Sequence, residues 1–595
     1  MPTSTATAEA RPAVGHRRLG TAPDGWVVGV IGGPDPAAGL RRHGLQPAFA
    51  APGCAMAGTV AVTDTQAVGG RIVVDRPTTT DALGRSGPDR LAALWAGGGR
   101  DAVVESRAMY GAAVHDRRSG TTTLMRDPLG ERTLYLTRRR SDGSTWFADR
   151  LATLRALGVV GRELDLESLR HYLILAYVPG TSTMLADAEE VAPGTAWVFE
   201  PTDADGRRPG RRRERWWAPT EGPSNADGDD NADFAASTAR LRTLLADAVD
   251  RRRPAGPVGV YLSGGVDSSA VTALLCRTDP STVHTFAVHF GPDVPNELAF
   301  VDQVVERVRP AVHHEIELTP SELTAALPDT MAALDDPIGD PLTVPNLAIG
   351  RRAAEVVGTV FNGEGGDPIF GGPKNQPMLL AALYGAGERS RALDELYLRS
   401  YQKCHPDLDR LLTPAVRDAL SAAPDPVELV APYLSQGSMT HFVNRLYEAN
   451  TRLKGSDHIL TKVADLTAAT GLVARSPLFD RAIVDAAFAM PPDHKLRGTV
   501  EKAVLKAAVA DLLPDPVLNR PKAGMRVPVQ TWFRGPLRRA GSRRLLSRRA
   551  RIAPYLDRRV IKEWTRYDGD PNGRYGRKLW LLLSLEHWLD AHDAG

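Results

Sequence analysis

The sequence predicts a two-part α/β chain: a layered sheet domain with helices, then a parallel sheet covered on both faces and extended by a mainly helical region. Three observations carry this. Strand and turn signals dominate residues 25–200, strands and helices alternate over 258–361, and the composition shifts abruptly between them at 201–232. A length of 595 residues allows more than one domain, and 43% hydrophobic against 24% charged residues can bury sizeable cores.

Residues 1–24 are small, polar and dotted with arginine, without the apolar stretch of a signal peptide, and read as a disordered tail. Trp26-Val27-Val28-Gly29-Val30-Ile31 is the first buried strand. Thr121 to Met125 form a strand that runs into the turn Arg126-Asp127-Pro128-Leu129-Gly130, and Arg132-Thr133-Leu134-Tyr135-Leu136 and Trp146-Phe147-Ala148 continue the pattern. A helix is expected at about 165–177, with Leu169, Tyr172 and Leu173 on its apolar side. The 201–232 stretch holds Arg207-Arg208-Pro209-Gly210-Arg211-Arg212-Arg213 and an acidic run from Glu221 to Asp230. It cannot bury apolar surface and reads as a linker or long surface loop before a domain over 233–595.

Beyond it the period changes. Ala239, Leu241, Leu244, Leu245 and Val249 share one helical face, and Val258-Gly259-Val260-Tyr261-Leu262 is a short apolar strand followed by a glycine turn. A helix from about Ser268 to Cys276, a strand at 285–288, a helix at 296–308, a strand at 314–318, helices at 320–333 and 344–356 and a strand at 359–361 complete a βα alternation. Such alternation means a parallel sheet. From about 376 onward the pattern is almost entirely helical.

The bulk chemistry excludes several classes. A net charge of +2 gives no global attraction to nucleic acid or an anionic membrane. No window approaches the apolar length of a membrane span. Cys54, Cys276 and Cys404 lie far apart, with neither a disulfide framework nor zinc-ligand spacing, so a reducing cytoplasm is the expected compartment.

Two segments carry chemistry. After Leu262, the string Ser263-Gly264-Gly265-Val266-Asp267-Ser268-Ser269 joins a buried strand to a helix. Glycines let backbone amides approach a ligand, a helix start adds unpaired N–H donors, and the serines add hydroxyls, a combination that suits a pyrophosphate. Asp267 would repel phosphate unless a divalent cation lay between them, so it reads as a magnesium ligand. A bare strand-Gly-Gly-helix could be no more than a capped helix; the full string resembles the PP-loop signature of ATP pyrophosphatases. It is no Walker A loop, because the Gly-Lys-Ser/Thr ending is absent. The second segment, Phe361-Asn362-Gly363-Glu364-Gly365-Gly366-Asp367-Pro368-Ile369-Phe370-Gly371-Gly372, also leaves a strand. Two acids in a glycine-rich turn could be a mere surface loop. Otherwise they need a metal or a proton to transfer, which makes Asp367 a second magnesium ligand and Glu364 a general base.

With these landmarks in order, the C-terminal part resembles the synthetase domain of the asparagine synthetase family, whose relatives include β-lactam synthetases and lasso-peptide cyclases. Further landmarks are Phe286-Ala287-Val288 with Glu297, Val312-His313-His314-Glu315-Ile316, Asp335-Asp336-Pro337, Arg475-Ser476-Pro477-Leu478-Phe479-Asp480, Pro491 to Lys495 with Lys502, and Arg520-Pro521-Lys522 before Pro528 and Trp532. The resemblance implies a PP-loop ATP-pyrophosphatase fold using ATP and Mg2+, with Leu262, Ser263, Gly264, Gly265, Asp267, Ser268, Ser269, Val288 and Gly363 around the nucleotide. It implies adenylation of a substrate carboxylate with release of pyrophosphate, then displacement of AMP by an amine. Lys522 stands where the family has a catalytic lysine, and Lys495 and Lys502 also resemble family lysines.

The N-terminal half resembles the family's glutamine-hydrolysing domain, an Ntn-hydrolase αββα sandwich. The carrying residues are Arg126 to Gly130, Leu134-Tyr135-Leu136, Phe147-Ala148-Asp149, Tyr177-Val178-Pro179-Gly180 with Thr183, and Ala192-Pro193-Gly194-Thr195. It departs at the nucleophile. Such a glutaminase needs a cysteine as first residue, whereas position 2 is proline and the first cysteine is Cys54, which reads as a small buried residue. The domain is then a scaffold, and the attacking nitrogen comes from elsewhere.

The leading expectation is an ATP-dependent amide-forming ligase of specialised metabolism acting on a small-molecule or peptide carboxylate and an amine or ammonia. Glu364 is Glu, as in asparagine synthetase, where the lactam-forming relatives have Tyr or Gly, and Pro373 to Pro377 depart from all three patterns. The alternatives are an intramolecular lactam cyclase and a non-catalytic nucleotide-binding regulator. The His313-His314 pair reads as structural. The arginine run Arg534, Arg538, Arg539, Arg543, Arg544, Arg548, Arg549 and Arg551 reads as a solvated helix face, with an acidic carrier protein or precursor peptide as the partner it would otherwise grip. Homodimer assembly stays open.

Overall fold

The structure, a computed structural model, describes all residues except 1–24, 34, 74–86, 202–209, 223–229, 373–374, 384–388, 521–524, 568–569, 571–572 and 595. The expected N-terminal tail, much of the charged 201–232 stretch, Pro373-Lys374 and Lys522 therefore lie outside the described residues. The chain forms two compact units. One comprises residues up to Glu163 with Gly180–Ala218 and Val463–Val473; the other comprises Leu164–Pro179, Pro219–Lys462 and Ala474–Gly595.

The first unit holds β1 (Val27–Ile31), β2 (Phe49–Ala51), β3 (Cys54–Gly58), β4 (Val60–Val62), β5 (Gln66–Val73), β6 (Met109–Asp116), β7 (Thr122–Arg126), β8 (Tyr135–Arg138), β9 (Thr145–Ala148), β10 (Glu189–Glu190), β11 (Thr195–Phe199) and β12 (Arg211–Arg215). They make two six-stranded sheets, ordered β10-β8-β9-β1-β3-β2 and β12-β11-β7-β6-β5-β4. Val27, Met56, Leu136 and Phe147 of one sheet share a core with Leu124, Ala113 and Phe199 of the other, so the sheets face each other. The helix Gly87–Glu105 covers the second sheet's outer face, where Leu91 and Val103 pack with Val68, Tyr110 and Met125. Burial on both faces explains why β1 and β3 are apolar throughout rather than alternating, and β5 is buried along its whole length, Gln66 and Arg71 included.

The turn at 126–130 is held by charge buried among backbone groups. Asp127 accepts N–H bonds from Leu129, Gly130, Glu131, Arg132 and Tyr110, and Arg126 donates to the carbonyls of Gly130, Arg132 and Val191. Asp149 accepts the Val27 N–H at 2.9 Å, tying down the first strand. The linker expectation needs one correction: Arg211–Arg215 is a strand, paired antiparallel with β11. As the sheet's edge it needs no apolar face toward a core. Arg212 pairs with Glu200 and Glu214, and Arg211 lies over the Trp197 ring.

The second unit is built on β13 (Val258–Tyr261), β14 (Val283–His289), β15 (Val312–Glu317), β16 (Thr359–Phe361) and β17 (Val473–Arg475), in the order β15-β14-β13-β16-β17. β13 pairs in parallel with β14 and with β16. The intervening helices form at Val266–Thr278, Leu298–Val308, Pro320–Ala333 and Thr343–Ala354, close to their expected bounds. The helix expected at 165–177 forms as Leu166–Leu175, and Tyr172 donates its hydroxyl to the Leu581 carbonyl. After 376 the chain is mainly helical: besides β17 it holds a hairpin of β18 (Leu496–Arg497) and β19 (Val500–Glu501), and its helical part includes a π-helical segment at Asn450–Leu460. No helix among the described residues is long and apolar enough to cross a membrane.

Candidate active site

Strand order locates the site. From β13 the sheet grows through β14 and β15 on one side and β16 and β17 on the other, so the loops leaving β13 and β16 diverge at their carboxyl ends. Open parallel sheets bind ligands at such a switch point. In register, Val260 sits beside Phe361, which releases the two loops, one beginning at Leu262 and the other at Asn362, from neighbouring strands.

Leu262 is buried and donates its N–H to the Phe286 carbonyl at 2.8 Å. Ser268 Oγ accepts the Ser263 N–H at 3.1 Å and lies 3.1 Å from Ser263 Oγ, so these serines first shape the loop. Gly265 caps the helix Val266–Thr278 without a side-chain bond, leaving its first N–H groups to a ligand. Ser269 is fully enclosed, and its hydroxyl has no hydrogen-bond partner among the described residues. Val288 is half-buried near the carboxyl end of β14.

Glycine brings the second loop against the first. A Cβ on Gly363 would stand 2.3 Å from the Ser268 nitrogen, and one on Gly366 2.1 Å from Asp267 Oδ1. No side chain fits at either place, so the two acidic loops are in van der Waals contact. Asp267 and Asp367 converge on one ammonium: Lys502 Nζ lies 2.5 Å from Asp267 Oδ2 and 2.6 Å from Asp367 Oδ1, with the lysine side chain 3% exposed. Lys502 has left-handed backbone (φ 56°) at the start of the helix Ala503–Ala508, directly after the β18–β19 hairpin. The ammonium marks a point where a cation meets both carboxylates. Two hard oxygen donors beside a phosphate-binding loop fit Mg2+, which takes one or two protein carboxylates and completes its shell with phosphate and water. No larger group of candidate metal ligands occurs among the described residues.

Glu364 lies between these elements, half-exposed. Its N–H donates to Asn362 Oδ1 at 3.1 Å, and Asn362 is pinned by Ser476 Oγ at 3.0 Å and the Arg475 carbonyl. The Glu364 side chain makes no hydrogen bond or ion pair among the described residues, which leaves its carboxylate able to take a proton. The 475–480 landmark supports the site from below. Leu478 packs against Gly365, and Asp480 makes a buried 2.5 Å ion pair with Arg252.

Two cations reach the loops that sequence reasoning did not place there. Lys502 was one resemblance among several, and Arg520 was only a landmark. The Arg520 guanidinium lies 3.1 Å from Glu297 and over the Phe300 ring, and a Cβ on Gly265 would be 3.5 Å from it. Lys495 is separate from the acid pair. Its Nζ donates to Asn444 Oδ1 and the Ala487 carbonyl, and burial lowers its pKa to about 7 despite the Glu221 charge. Cys54 is fully buried in β3, and burial pushes its thiol up to about 12. His313 hydrogen-bonds Thr285, and His314 stacks on Phe286 and contacts His284, so the histidine pair serves the sheet.

Comparison with known proteins agrees with this geometry. Residues 240–590 match the family model described as asparagine synthase, and residues 79–217 match that described as a glutamine amidotransferase domain. The chain is 24% identical over 516 residues to asparagine synthetase [glutamine-hydrolyzing] 1 of Bacillus subtilis, covering 82% of this chain and 78% of that one. It is 28% identical over 471 residues to a putative asparagine synthetase [glutamine-hydrolyzing] of Mycobacterium bovis, covering 73% and 69%. It is 26% identical over 292 residues to the carboxyethyl-arginine beta-lactam-synthase of Streptomyces clavuligerus, covering 49% and 44%.

Proposed function

The chain belongs to the asparagine synthase family, and from that premise we propose that it is an ATP-dependent amide ligase that adenylates a carboxylate and passes the acyl group to an amine or ammonia not made from glutamine in this chain. The observation that carries this is the convergence of Asp267 and Asp367 beside the Ser263–Ser269 loop, with Glu364 unengaged next to them.

In this reading the loop N–H groups and Ser263 and Ser268 hold the phosphates. Asp267 and Asp367 would hold Mg2+, which when bound screens the phosphate charge that the carboxylates alone would repel. A substrate carboxylate oxygen attacks the α-phosphorus of ATP, the bond to the β-phosphate oxygen breaks, and pyrophosphate leaves. An amine nitrogen then attacks the acyl carbon, Glu364 takes the proton it sheds, and AMP departs with the bonding pair. Lys502 and Arg520 supply positive charge around the leaving pyrophosphate, the part that the family resemblance gives to Lys522.

The reading of the nitrogen source rests on Cys54. It is the one cysteine of the first unit, and its full burial, which holds the thiol far above neutrality, argues against a glutaminase nucleophile. The match to a β-lactam-forming enzyme supports placing the product in specialised metabolism. The test is ATP–pyrophosphate exchange against a carboxylate panel with and without amines. Carboxylate-dependent exchange, abolished in Asp267→Ala, is expected. ATP binding without exchange for any carboxylate would instead mark a nucleotide-binding regulator.

A further inference from the structure

Positive charge is concentrated in one stretch of the second unit. Twelve of the 73 Lys and Arg residues but only two of the 71 Asp and Glu residues fall in 534–566, a net charge of plus ten, which leaves the rest of the chain at minus eight. The stretch folds into the helices Arg538–Leu545 and Arg558–Arg566, directly after Val529–Arg534. Its large apolar residues, among them Leu545, Ile561 and Trp564, are buried, so the cations are turned outward. Its two acids are already engaged, Asp557 with Arg559 and Glu563 with Arg410. Arg538, Arg539, Arg543, Arg548, Arg549 and Lys562 are exposed and make no ion pair among the described residues. A solvated helix face ordinarily mixes signs, because like charges at helical spacing repel. This surface keeps the repulsion.

Its position is informative. The chain that brings Arg520 to the PP-loop continues into Val529–Arg534, where Trp532 packs edge-on against Phe290 at the end of β14. The basic helices follow at once. We propose that this surface docks an acidic segment of a protein or peptide that delivers the carboxylate or the amine to the neighbouring site. The delivery role rests on the amide-ligase reading; the binding does not.

Chemistry selects the partner. The cations are almost all arginine, whose planar fork matches a carboxylate. A membrane surface would call for apolar anchors beside the charge, and none of the exposed large hydrophobic residues, such as Val312, Leu380 and Leu383, lies in the stretch. Single-stranded nucleic acid would call for exposed aromatic platforms, whereas Trp564 is buried and Tyr555 half-buried.

The test uses the full chain and a fluorescein-labelled oligoglutamate peptide, read by fluorescence anisotropy. We expect binding that weakens steeply as salt rises above about 0.1 M, where screening length falls below about 10 Å. The triple reversal R538E/R539E/R543E should weaken it about tenfold or more, the neutral triple R538Q/R539Q/R543Q by less, and R117E/R118E on the first unit by under about twofold. Melting curves check that each variant is folded. Equal binding by wild type and the reversal, or by wild type and both triples, overturns the proposal. So does surface-dependent binding of labelled duplex DNA or phosphatidylserine vesicles when the peptide does not bind. Because no turnover is measured, the result stands apart from whether the chain adenylates anything.

Discussion

Replacing Lys502 with methionine keeps most of the side-chain volume and removes the charge that holds the acid pair together. The distances from Nζ to Asp267 and Asp367, 2.5 and 2.6 Å, put the two oxygens at most about 5 Å apart. Two like charges at that distance repel by about 3 kcal/mol at an effective dielectric near 20. The carboxylates are only 13% and 27% exposed, so solvent screens this only in part. At roughly 2 °C per kcal/mol for a unit this large, the ligand-free Tm of Lys502→Met should fall by about 5 °C. Mg2+ without nucleotide should raise the variant's Tm more than the wild type's, since it supplies the missing charge. The assay is differential scanning fluorimetry with and without Mg2+. A variant melting with the wild type at neutral pH, and equally indifferent to Mg2+, would refute the view that Lys502 balances a metal-binding acid pair.

Glu364→Gln should leave carboxylate-dependent pyrophosphate exchange within about threefold while slowing amide formation by about a hundredfold or more, a split that quench-flow analysis of the two half-reactions would expose. Equal loss of both halves would remove Glu364 from the base role. Burial holds Lys495 near 7, well below a free lysine. Between pH 7 and 9 the unfolded chain thus binds a proton that the folded chain does not, and stability should rise with pH by up to about 1.4 kcal/mol per unit from this group. In Lys495→Met that slope should flatten in denaturant titrations; an unchanged slope assigns it to other groups. Cys54→Ala should leave amide formation intact and cost about 1 kcal/mol or a little more through the small cavity it opens. Glutamine hydrolysis by the wild type that disappears in this variant would contradict the scaffold role of the first unit.

The PP-loop was legible because its chemistry is local: a strand, two glycines, an aspartate and serines within a few residues of one another. Glu364 and Asp367 were legible for the same reason, and β16 then carried them to Asp267 through strand pairing. Lys502 was not, because Val500-Glu501-Lys502-Ala503 has no distinguishing pattern and only the hairpin and a left-handed backbone turn it into the site. Arg520 resisted for a related reason, since its partners Glu297 and Phe300 lie far away in sequence. The Arg211–Arg215 strand was hidden by composition. A sheet edge needs ladder hydrogen bonds rather than apolar side chains, and a charged run can supply those. The π-helical segment at Asn450–Leu460 likewise has no signature in residue periodicity.

The most direct test follows one oxygen atom. A carboxylate that supports pyrophosphate exchange is prepared with ¹⁸O in its carboxyl group and turned over with ATP and an amine, and the nucleotide product is analysed by mass spectrometry. Adenylation predicts AMP carrying one ¹⁸O, because the attacking carboxylate oxygen stays on phosphorus when the amine displaces it. Unlabelled AMP, or ADP as the nucleotide product, would contradict the mechanism assigned to Asp267, Asp367 and the loop between β13 and its helix.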